Sequence, residues 1–520
     1  MTTTVALPRV LSESLGGSKL SRAMQVGDVP GLSRPRPLTA AEWRTAANEV
    51  RRRFNGDAWL KALAPAFGDS ATLPGLIRAA NDGILVTTGQ QAGLFGGHML
   101  TLVKALSARA LADSMERAVG MPCATVFWAA TDDADFLEAA SVKIPGTAEG
   151  TTLSLTVAPP PGTPMNRAPL AGIDALLAQM EASCGSAGGE AVAQLRRAYY
   201  DGATVGDAYV RYLREILAPL GVAVLDASHV AVLTAARPLL QRALVDSAAV
   251  EGRARGWDDT LESAGLKPQV ESVPGLSLVF ANEDGVKRRI PITEAAATAS
   301  SKIGLSPTVL LRPIVEATIL PTVAYVGGPG EIAYFAQIPP IAAVLGSSSP
   351  TVVPRWSTTI VEAGITKILD RHAVMVDDLR DYDGLLSRLV RDRMPSDLSQ
   401  TVGELRATLG RAIAALLEAG KQNRIDPKII EGLNSQLAVR LDRGERRIVA
   451  AIKRRETELR RDLGTARASL YPDGVRQERL LSFVPFIARY NGPLIALMLA
   501  EASRHADTLV GVANQSASAP

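Results

Sequence analysis

Three apolar segments of this chain are each followed by residue types that bind anions or move protons. The first segment, 84–86, precedes a glycine-rich stretch, 87–97, and then a long amphipathic segment. Glycines let backbone N–H groups approach a ligand closely, and the start of the next helix adds unpaired donors and a positive dipole end. The candidate substrate-binding residues of this stretch are Thr88, Gly89, Gln90 and Gln91. A pocket for an anionic ligand is the first hypothesis.

Acidic and glycine-rich turns follow the other two apolar segments, 124–130 and 322–326. The residues concerned are Asp132, Asp133 and Asp135 in the first turn, and Gly327, Gly328 and Glu331 in the second. A carboxylate at such a position can hold a metal, bind an ammonium group or take the proton that an attacking amine loses. The alternative is helix capping and loop bracing. Asp133 and Asp135 are the candidate catalytic residues, and the other four are candidate substrate-binding residues.

Three basic residues, Lys104, Arg312 and Arg355, are suited to neutralising phosphate or carboxylate charge. Lys104 lies one or two turns into the helix predicted after the glycine-rich stretch, and it is a candidate catalytic residue. The alternative for all three is a surface position or an ion pair. On the catalytic interpretation, Lys104→Ala and Asp133→Ala cripple turnover and leave thermal unfolding nearly unchanged.

The repeated order of strand, turn and helix predicts an α/β fold. In open parallel sheets, ligands bind beyond the carboxyl ends of the strands, where the strand order reverses. We therefore expect the three turns to meet around one crevice. A further strand is predicted near 221–226 and a small β-meander within 267–292. A charged helical hairpin is predicted between about 375 and 468, with its second helix starting at Asp426-Pro427.

Composition argues against several classes of protein. The 520-residue chain has a formal charge of only +3 and no basic block joined to aromatic residues, so nucleic-acid binding has no support. Its apolar stretches are interrupted before they could span a bilayer, and its N-terminus does not resemble a secretory signal. The two cysteines, Cys123 and Cys184, fit a reducing compartment. A cytoplasmic enzyme with neither nucleic-acid nor membrane partners is expected.

Taken in order, these motifs resemble the BshC family, the cysteine-adding ligases of bacillithiol biosynthesis. The resemblance covers most of the chain. Besides the three turns, it rests on the segments 93–95, 127–128, 311–313, 331–334, 353–355, 470–474 and 477–479. It implies an α/β fold with a Rossmann-like parallel-sheet core, an inserted connective lobe and an α-helical coiled-coil hairpin, through which subunits pair as a homodimer.

The resemblance and the composition shifts place five segments along the chain. Residues 1–146 form the first part of the core, and residues 147–300 form the connective lobe, with a return strand near 221–226. Residues 301–372 form the second part of the core, residues 373–470 the coiled coil, and residues 471–520 a C-terminal return to the core.

The resemblance also implies a reaction, an amide formed between the carboxyl group of L-cysteine and the amine of glucosaminyl malate. Amide formation from a free carboxylate is uphill in water, so a nucleotide, ATP or ADP, is expected together with Mg²⁺. Arg312 and Tyr334 are then candidate substrate contacts. The candidate nucleotide contacts are Arg355, Tyr471, Gln477 and Arg479. The chain contains neither GxxxxGK(S/T) nor GxGxxG in its glycine-rich stretch, so the nucleotide site would be of another kind.

The acidic turn departs from the family pattern. The family usually has Glu-Asp-His-Asp, whereas this chain reads Asp132-Asp133-Ala134-Asp135 and lacks the imidazole. His98 stands where the family usually has proline, and it is interpreted as structural. Two alternative functions remain open: another nucleotide-dependent ligase or nucleotidyl transferase on the same core, and a noncatalytic dimeric scaffold.

Overall fold

Five parallel strands form the central sheet and carry the three segments singled out above. The computed structural model describes residues 6–32, 36–146 and 150–511. The strands are β1 Arg9–Ser12, β2 Ile84–Gln91, β3 Cys123–Ala130, β4 Ser141–Ile144, β5 Thr151–Ser154, β6 Val222–Asp226, β7 Leu276–Glu283, β8 Val286–Pro291, β9 Gly304–Pro307, β10 Thr322–Gly327, β11 Thr351–Pro354 and β12 Thr358–Val361. The sheet order is β11-β10-β2-β3-β6, and each neighbouring pair is parallel. The predicted α/β class with a Rossmann-like parallel sheet is confirmed.

The strand order of this sheet reverses between β2 and β10. From β2 the chain steps outward to β3 and β6, and it later returns to the opposite side of β2 with β10 and β11. The carboxyl ends of neighbouring parallel strands lie at the same edge of a sheet. The turns after β2, β3 and β10 therefore lie next to one another, as predicted. The crevice between β2 and β10 is the position where such sheets bind ligands.

The glycine-rich stretch begins as strand rather than as loop. The predicted strand end near Val86 is wrong, because β2 continues to Gln91 in an unbroken parallel ladder with β3. In that ladder Gly89 stands opposite Trp128. A Cβ at position 89 would lie 2.8 Å from the carbonyl oxygen of Trp128, and this backbone atom cannot move aside. A glycine within a strand usually weakens it. Pairing with β3 nevertheless keeps β2 extended through Gly89.

The helices cover both faces of the sheet. They are α1 Lys19–Val26, α2 Ala40–Arg51, α3 Ala58–Phe67, α4 Pro74–Asp82, α5 Met99–Val119, α6 Phe136–Ala139, α7 Ile173–Cys184, α8 Gly189–Ala198, α9 Val205–Leu217, α10 Val230–Val245, α11 Ser247–Ser263, α12 Ile292–Ala299, α13 Arg312–Ile319, α14 Pro329–Phe335, α15 Ile338–Val344, α16 Ala363–His372, α17 Tyr382–Asp392, α18 Ser396–Gln422, α19 Pro427–Arg455, α20 Thr457–Leu470, α21 Gln477–Leu480 and α22 Val484–Val510. Short 3₁₀ helices lie at Gly68–Thr72, Leu94–Gly96, Gly185–Ala187, Ala218–Leu220, Val376–Asp381 and Pro472–Gly474. None of the described helices is both long enough and apolar enough to cross a bilayer.

The helix after the glycine-rich stretch, α5, is buried around most of its circumference. It packs on β2 and β3 and also contacts α2 and α22. The sequence predicted an amphipathic helix with one solvated face. That face is instead covered by elements that lie far away in the sequence, so Lys104 in the second turn of α5 is buried.

The described residues form two compact units. One contains those within 1–145, 151–360 and 477–520, and the other those within 146–150 and 361–476. The predicted connective lobe, 147–300, contributes β6 to the central sheet. In place of the predicted β-meander, β7 and β8 form an antiparallel pair, and β9 joins the other side of β7, so the order is β8-β7-β9. The lobe's described residues from 151 onward thus belong to the unit that contains the sheet. Residues 147–149 of that lobe, and residues 512–520 of the C-terminal segment, lie outside the described residues.

The helical hairpin of the second unit consists of α18 and α19. As predicted, α19 begins at Asp426-Pro427: the Asp426 side chain accepts a hydrogen bond from the backbone N–H of Lys428 at 2.9 Å, and Pro427 is the first helical residue. Four leucine and valine side chains on the two helices are exposed: Leu405, Leu416, Leu433 and Val439.

Candidate functional site

A cavity of about 250 Å³ opens where β2 ends and α5 begins. It is lined by Gln90, Gln91, Ala92, Gly93, Gly97, His98, Leu100, Thr101, Glu138 and Arg479. Among these lining residues, Glu138 supplies the one carboxylate, Arg479 the one guanidinium and His98 the one imidazole. The cavity therefore brings an acid–base group, a cation and amide side chains to the edge of the sheet where a ligand is expected.

The glycine-rich loop at this cavity is held from beneath by Tyr199. The Tyr199 hydroxyl accepts a hydrogen bond from the backbone N–H of Gly96 at 2.8 Å and donates one to the carbonyl oxygen of Gly93 at 2.9 Å. The ring of Tyr199 also packs edge-on against Phe95, with the ring centroids 5.2 Å apart. These contacts fix the loop that forms the cavity wall.

Gly96 has a positive φ of +81°, and a Cβ there would lie 2.7 Å from Cζ of Phe483 and 2.8 Å from Cε1 of Tyr212. We expect Gly96→Ala to destabilise the protein by about 2–5 kcal/mol, because the left-handed backbone costs an alanine about 1–2 kcal/mol and overpacking adds about 1–3 kcal/mol. Gly120→Ala is the matched control, since Gly120 has a φ of +73° but no atom within 4 Å of its added Cβ. Urea denaturation of both variants measures the difference, and equal losses would contradict the packing argument.

Lys104 joins two of the three turns. Its Nζ donates hydrogen bonds to the carbonyl oxygen of Gly89 at 2.7 Å and to Oε1 of Gln90 at 2.9 Å. The same Nζ lies 2.6 Å from Oε2 of Glu331, the acidic residue that follows β10. The Lys104 side chain is only 3% exposed. The structure thus places Lys104 as a buried link between β2 and α14, and its ammonium group is already surrounded by protein oxygens.

Glu331 is held as a carboxylate by three neighbours. Besides Lys104, it accepts hydrogen bonds from the Tyr325 hydroxyl at 2.6 Å and from the backbone N–H of Gly328 at 2.8 Å. Burial alone would raise the pKa of Glu331, but the charge of Lys104 and these hydrogen bonds outweigh burial and lower the pKa. Burial lowers the pKa of Lys104 in turn, against the attraction of Glu331. Both groups therefore act as partners of one ion pair, in which Lys104 is buried and the Glu331 side chain is 18% exposed.

Arg312, the first residue of α13, also forms an ion pair with a carboxylate of the protein. Its Nη1 lies 2.7 Å from Oε2 of Glu316, whose side chain is fully buried, and its Nη2 donates to the Tyr334 hydroxyl at 3.4 Å. The Arg312 guanidinium also lies 5.0 Å from the ring centroid of Tyr325. Glu316 accepts a further hydrogen bond from the hydroxyl of Thr87 in β2. The predicted substrate contacts Arg312 and Tyr334 thus bind each other, and they brace β10 against β2.

Each aspartate of the acidic turn already has a partner. Asp132 forms an ion pair with Lys287 at 3.0 Å, and the side chain of Asp135 caps α6 by accepting from the backbone N–H of Glu138 at 3.2 Å. Asp133 accepts from Nε2 of Gln91 at 2.7 Å and from the backbone N–H of Asp135 at 3.0 Å. Gln91, a predicted substrate contact that lines the cavity, is therefore bound to Asp133, a predicted catalytic residue. Asp135 shows the capping role that was its structural alternative.

The other predicted turn residues make backbone contacts. The Thr88 hydroxyl donates to the carbonyl oxygen of Val326 at 2.8 Å, and so ties β2 to β10. The carbonyl oxygen of Gly327 accepts from the backbone N–H of Arg355, and Gly328 forms the N-cap of α14.

Of the four predicted nucleotide contacts, Arg479 is the one that lines the cavity. Arg355 is 1% exposed and forms a two-pronged ion pair with Glu478, at 2.8 and 2.6 Å. The Gln477 side chain donates to the carbonyl oxygen of Ile360 and accepts from its backbone N–H. Tyr471 belongs to the second unit, where its hydroxyl accepts from Nε of Arg380 at 3.0 Å. The two Nη atoms of Arg355 and the side-chain amide of Gln477 thus bind buried protein partners, whereas Nε of Arg355 has no hydrogen-bond partner among the described residues. That Arg355 and Gln477 bind a nucleotide stays a prediction.

Sequence reasoning missed Glu138, Thr101 and Tyr199, and it interpreted His98 as structural although His98 lines the cavity. Glu138 lies three residues after Asp135, so the capping pattern of the acidic turn was a signal that could have found it. Tyr199 had no such signal, because more than 100 residues separate it from the loop that it supports. No group of three or more His, Cys, Asp or Glu side chains within the described ranges is arranged to hold a metal ion.

Two family models match the chain. One is described as "Bacillithiol biosynthesis BshC, N-terminal Rossmann-like domain" and matches residues 57–356. The other is described as "Bacillithiol biosynthesis BshC, C-terminal coiled-coil domain" and matches residues 358–508. Together they span the central sheet, the cavity and the helical hairpin.

Curated relatives named "Putative cysteine ligase BshC" are similar to the chain over most of its length. The relative from Solibacter usitatus (strain Ellin6076) is 31% identical over 454 residues, which cover 80% of this chain and 82% of the relative. The relative from Salinibacter ruber (strain DSM 13855 / M31) is 28% identical over 437 residues, with 80% of each chain covered. The relative from Heliobacterium modesticaldum (strain ATCC 51547 / Ice1) is 27% identical over 498 residues, covering 88% and 89%.

Proposed function

This chain belongs to the BshC family, and on that premise we propose that it is a cysteine ligase of bacillithiol biosynthesis, which joins the carboxyl group of L-cysteine to the amine of glucosaminyl malate. The structural observation that carries the proposal is the cavity at the carboxyl edge of the sheet, lined by Glu138, Arg479 and two glutamines. An amine nucleophile requires a carboxylate nearby. An anionic reactant requires a cation and neutral hydrogen-bonding groups.

The cavity matches the charges of the proposed substrates. Glucosaminyl malate carries carboxylates, and Arg479 together with the N-terminus of the 21-residue helix α5 offers positive charge and backbone donors to them. Gln90 and Gln91 present amide groups to the same space, and Lys104 and Asp133 hold them in place. Two of the predicted substrate-binding side chains, Gln90 and Gln91, thus face the cavity, and two of the predicted catalytic residues, Lys104 and Asp133, hold them in place.

We propose that the ligation uses a nucleoside triphosphate, ATP, as co-substrate. Forming an amide from a free carboxylate is uphill in water, and phosphoryl or nucleotidyl transfer to the cysteine carboxyl would supply the driving force. Mg²⁺ would enter with the phosphates, because it commonly binds phosphate oxygens and waters with only one or two protein carboxylates. Arg479 is the candidate for the phosphate contact, because it supplies the one guanidinium among the residues that line the cavity.

We also propose that the chain forms a homodimer through its second unit. The exposed apolar side chains on α18 and α19, such as Leu405 and Val439, are the feature that supports this proposal.

The function is tested by incubating the purified chain with ATP, Mg²⁺, L-cysteine and glucosaminyl malate, and by following the product by mass spectrometry. We expect a product whose mass equals that of the two substrates less one water, formed only when both substrates and the nucleotide are present. Turnover of nucleotide with other amine acceptors would instead favour a different ligase or a nucleotidyl transferase. Absence of product and of any ligand binding would favour a scaffold.

A further inference from the structure

Among the residues that line the cavity at the carboxyl edge of the sheet, Glu138 supplies the one carboxylate, a group that can both bind an ammonium ion and accept its proton. We propose that Glu138 is the general base of the ligation, the group that takes the proton released by the attacking amine. This inference rests on the proposed function. It shifts the catalytic role from the aspartates that the sequence singled out to a glutamate on the following helix, α6.

The hydrogen-bond pattern around the acidic turn supports this assignment. Asp132 is paired with Lys287, Asp133 with Gln91, and Asp135 with the backbone of α6. Within the described part of the chain, the carboxylate of Glu138 has no hydrogen-bond or ion-pair partner, and it lines the cavity. Its lone pairs are therefore available to a substrate N–H.

The surroundings of Glu138 raise its pKa, which suits a general base. Although Glu138 is an exposed residue, desolvation raises the pKa of its carboxyl above the usual range, the nearby charges of Asp135 and Asp133 raise that pKa further, and Lys104 on α5 lowers it. His98 and Arg479 face the same cavity from the loop before α5 and from α21. Burial lowers the pKa of His98, so its imidazole is mostly neutral near pH 7 and adds little positive charge to the cavity. A carboxylate with a raised pKa is a better base near neutral pH than an ordinary one.

The amine nitrogen of glucosaminyl malate attacks the carboxyl carbon of L-cysteine, which the nucleoside triphosphate has activated as a phosphoric anhydride. The C–N bond forms, and the phosphate or nucleoside monophosphate leaves with the electrons of the broken C–O bond. The nitrogen becomes strongly acidic as the C–N bond forms, and its N–H proton passes to Glu138. Solvent then removes that proton and restores the carboxylate.

The test compares steady-state kinetics of the full chain with those of Glu138→Gln and Glu138→Asp between pH 5 and pH 9. We expect Glu138→Gln to lower kcat on the order of 10²- to 10³-fold at pH 7.5, with little change in KM for the amine substrate. We expect Glu138→Asp, which keeps a carboxylate, to recover part of the rate. The wild-type to Glu138→Gln ratio of kcat/KM cancels the titration of the substrate, and it should shrink as the pH falls through the pKa of Glu138.

Three controls separate a base from a merely structural side chain. Glu190→Gln removes one carboxylate charge from an exposed ion pair with Arg197 and should keep the wild-type rate. Thermal unfolding of every variant reports whether the fold is intact. His98→Asn tests the other titratable group of the cavity, and the inference is wrong if this variant, rather than Glu138→Gln, removes the pH dependence.

The remaining outcomes show which of the two fails, the assignment of Glu138 as general base or the proposed ligase function. If the wild type forms product and Glu138→Gln turns over at the wild-type rate, or if the rate ratio is independent of pH, the ligase assignment stands and the base assignment falls. If the wild type forms no product, the proposed function fails and Glu138 has no amine to deprotonate.

Discussion

Replacing Lys104 by methionine is expected to destabilise the unit that contains the central sheet by about 3–5 kcal/mol, the usual cost of removing one partner from a buried ion pair. The ammonium group of Lys104 holds Glu331, Gly89 and Gln90 within 2.6–2.9 Å, and its side chain is 3% exposed. Methionine retains much of the apolar stem but leaves the Glu331 carboxylate and the Gly89 carbonyl oxygen without this donor. This result would overturn the sequence-based expectation that substitution of Lys104 leaves unfolding nearly unchanged.

Urea denaturation of the full chain measures the loss, with Lys61→Met as the matched control. Lys61 forms a surface pair with Asp57 at 2.9 Å, and its side chain is 76% exposed, so its loss should cost no more than about 1 kcal/mol. The double variant Lys104→Met/Glu331→Gln should recover part of the stability, because it no longer leaves a buried charge unpaired. Equal effects of Lys104→Met and Lys61→Met would show that the link between β2 and α14 contributes little.

Replacing Arg355 by methionine is expected to have a comparable effect, again about 3–5 kcal/mol, for the same physical reason. The Arg355 guanidinium binds both carboxylate oxygens of Glu478, and each side chain is 1% exposed. Glu478 also accepts hydrogen bonds from the Ser357 hydroxyl at 2.9 Å and from the backbone N–H of Thr358 at 3.3 Å. The double variant Arg355→Met/Glu478→Met should be more stable than Arg355→Met alone. If Arg355 instead serves mainly to bind nucleotide, Arg355→Met would raise KM for ATP and leave unfolding unchanged.

The stabilising effect of Glu478 should depend on pH in a defined direction. Burial would raise the pKa of Glu478, but the charge of Arg355 and the hydrogen bonds from Arg355, Ser357 and Thr358 lower it below its ordinary value of 4.5. The folded state therefore binds fewer protons than the unfolded state as the pH falls below about 4.5. The stability that Glu478 contributes is fully present above that pH, and it is lost as the pH falls through the folded pKa. The difference in unfolding free energy between wild type and Glu478→Gln should shrink over that acidic range.

Local patterns were enough to predict the ends of several elements and the edge of the sheet at which the cavity opens. The aspartate–proline start of α19 needs no distant partner, because an N-cap and a first-turn proline act within a few residues of the chain. The three apolar segments became β2, β3 and β10 because continuous apolar runs bounded by turns favour buried parallel strands. The end of β2 was wrong because pairing with β3, rather than local propensity, carries the strand through Gly89 to Gln91.

The amino-acid sequence by itself determined the α/β class, the family and the convergence of three turns at one edge of a parallel sheet, because hydrophobic patterning and motif order act along the chain. Only the tertiary structure decided which polar side chains face the cavity and which are bound to one another. Arg355 and Glu478 lie 123 residues apart, and the oxygens that surround Lys104 come from both β2 and α14. A buried charge must find a partner in space, and neither its residue type nor its position along the chain reveals whether that partner is a ligand or another part of the fold.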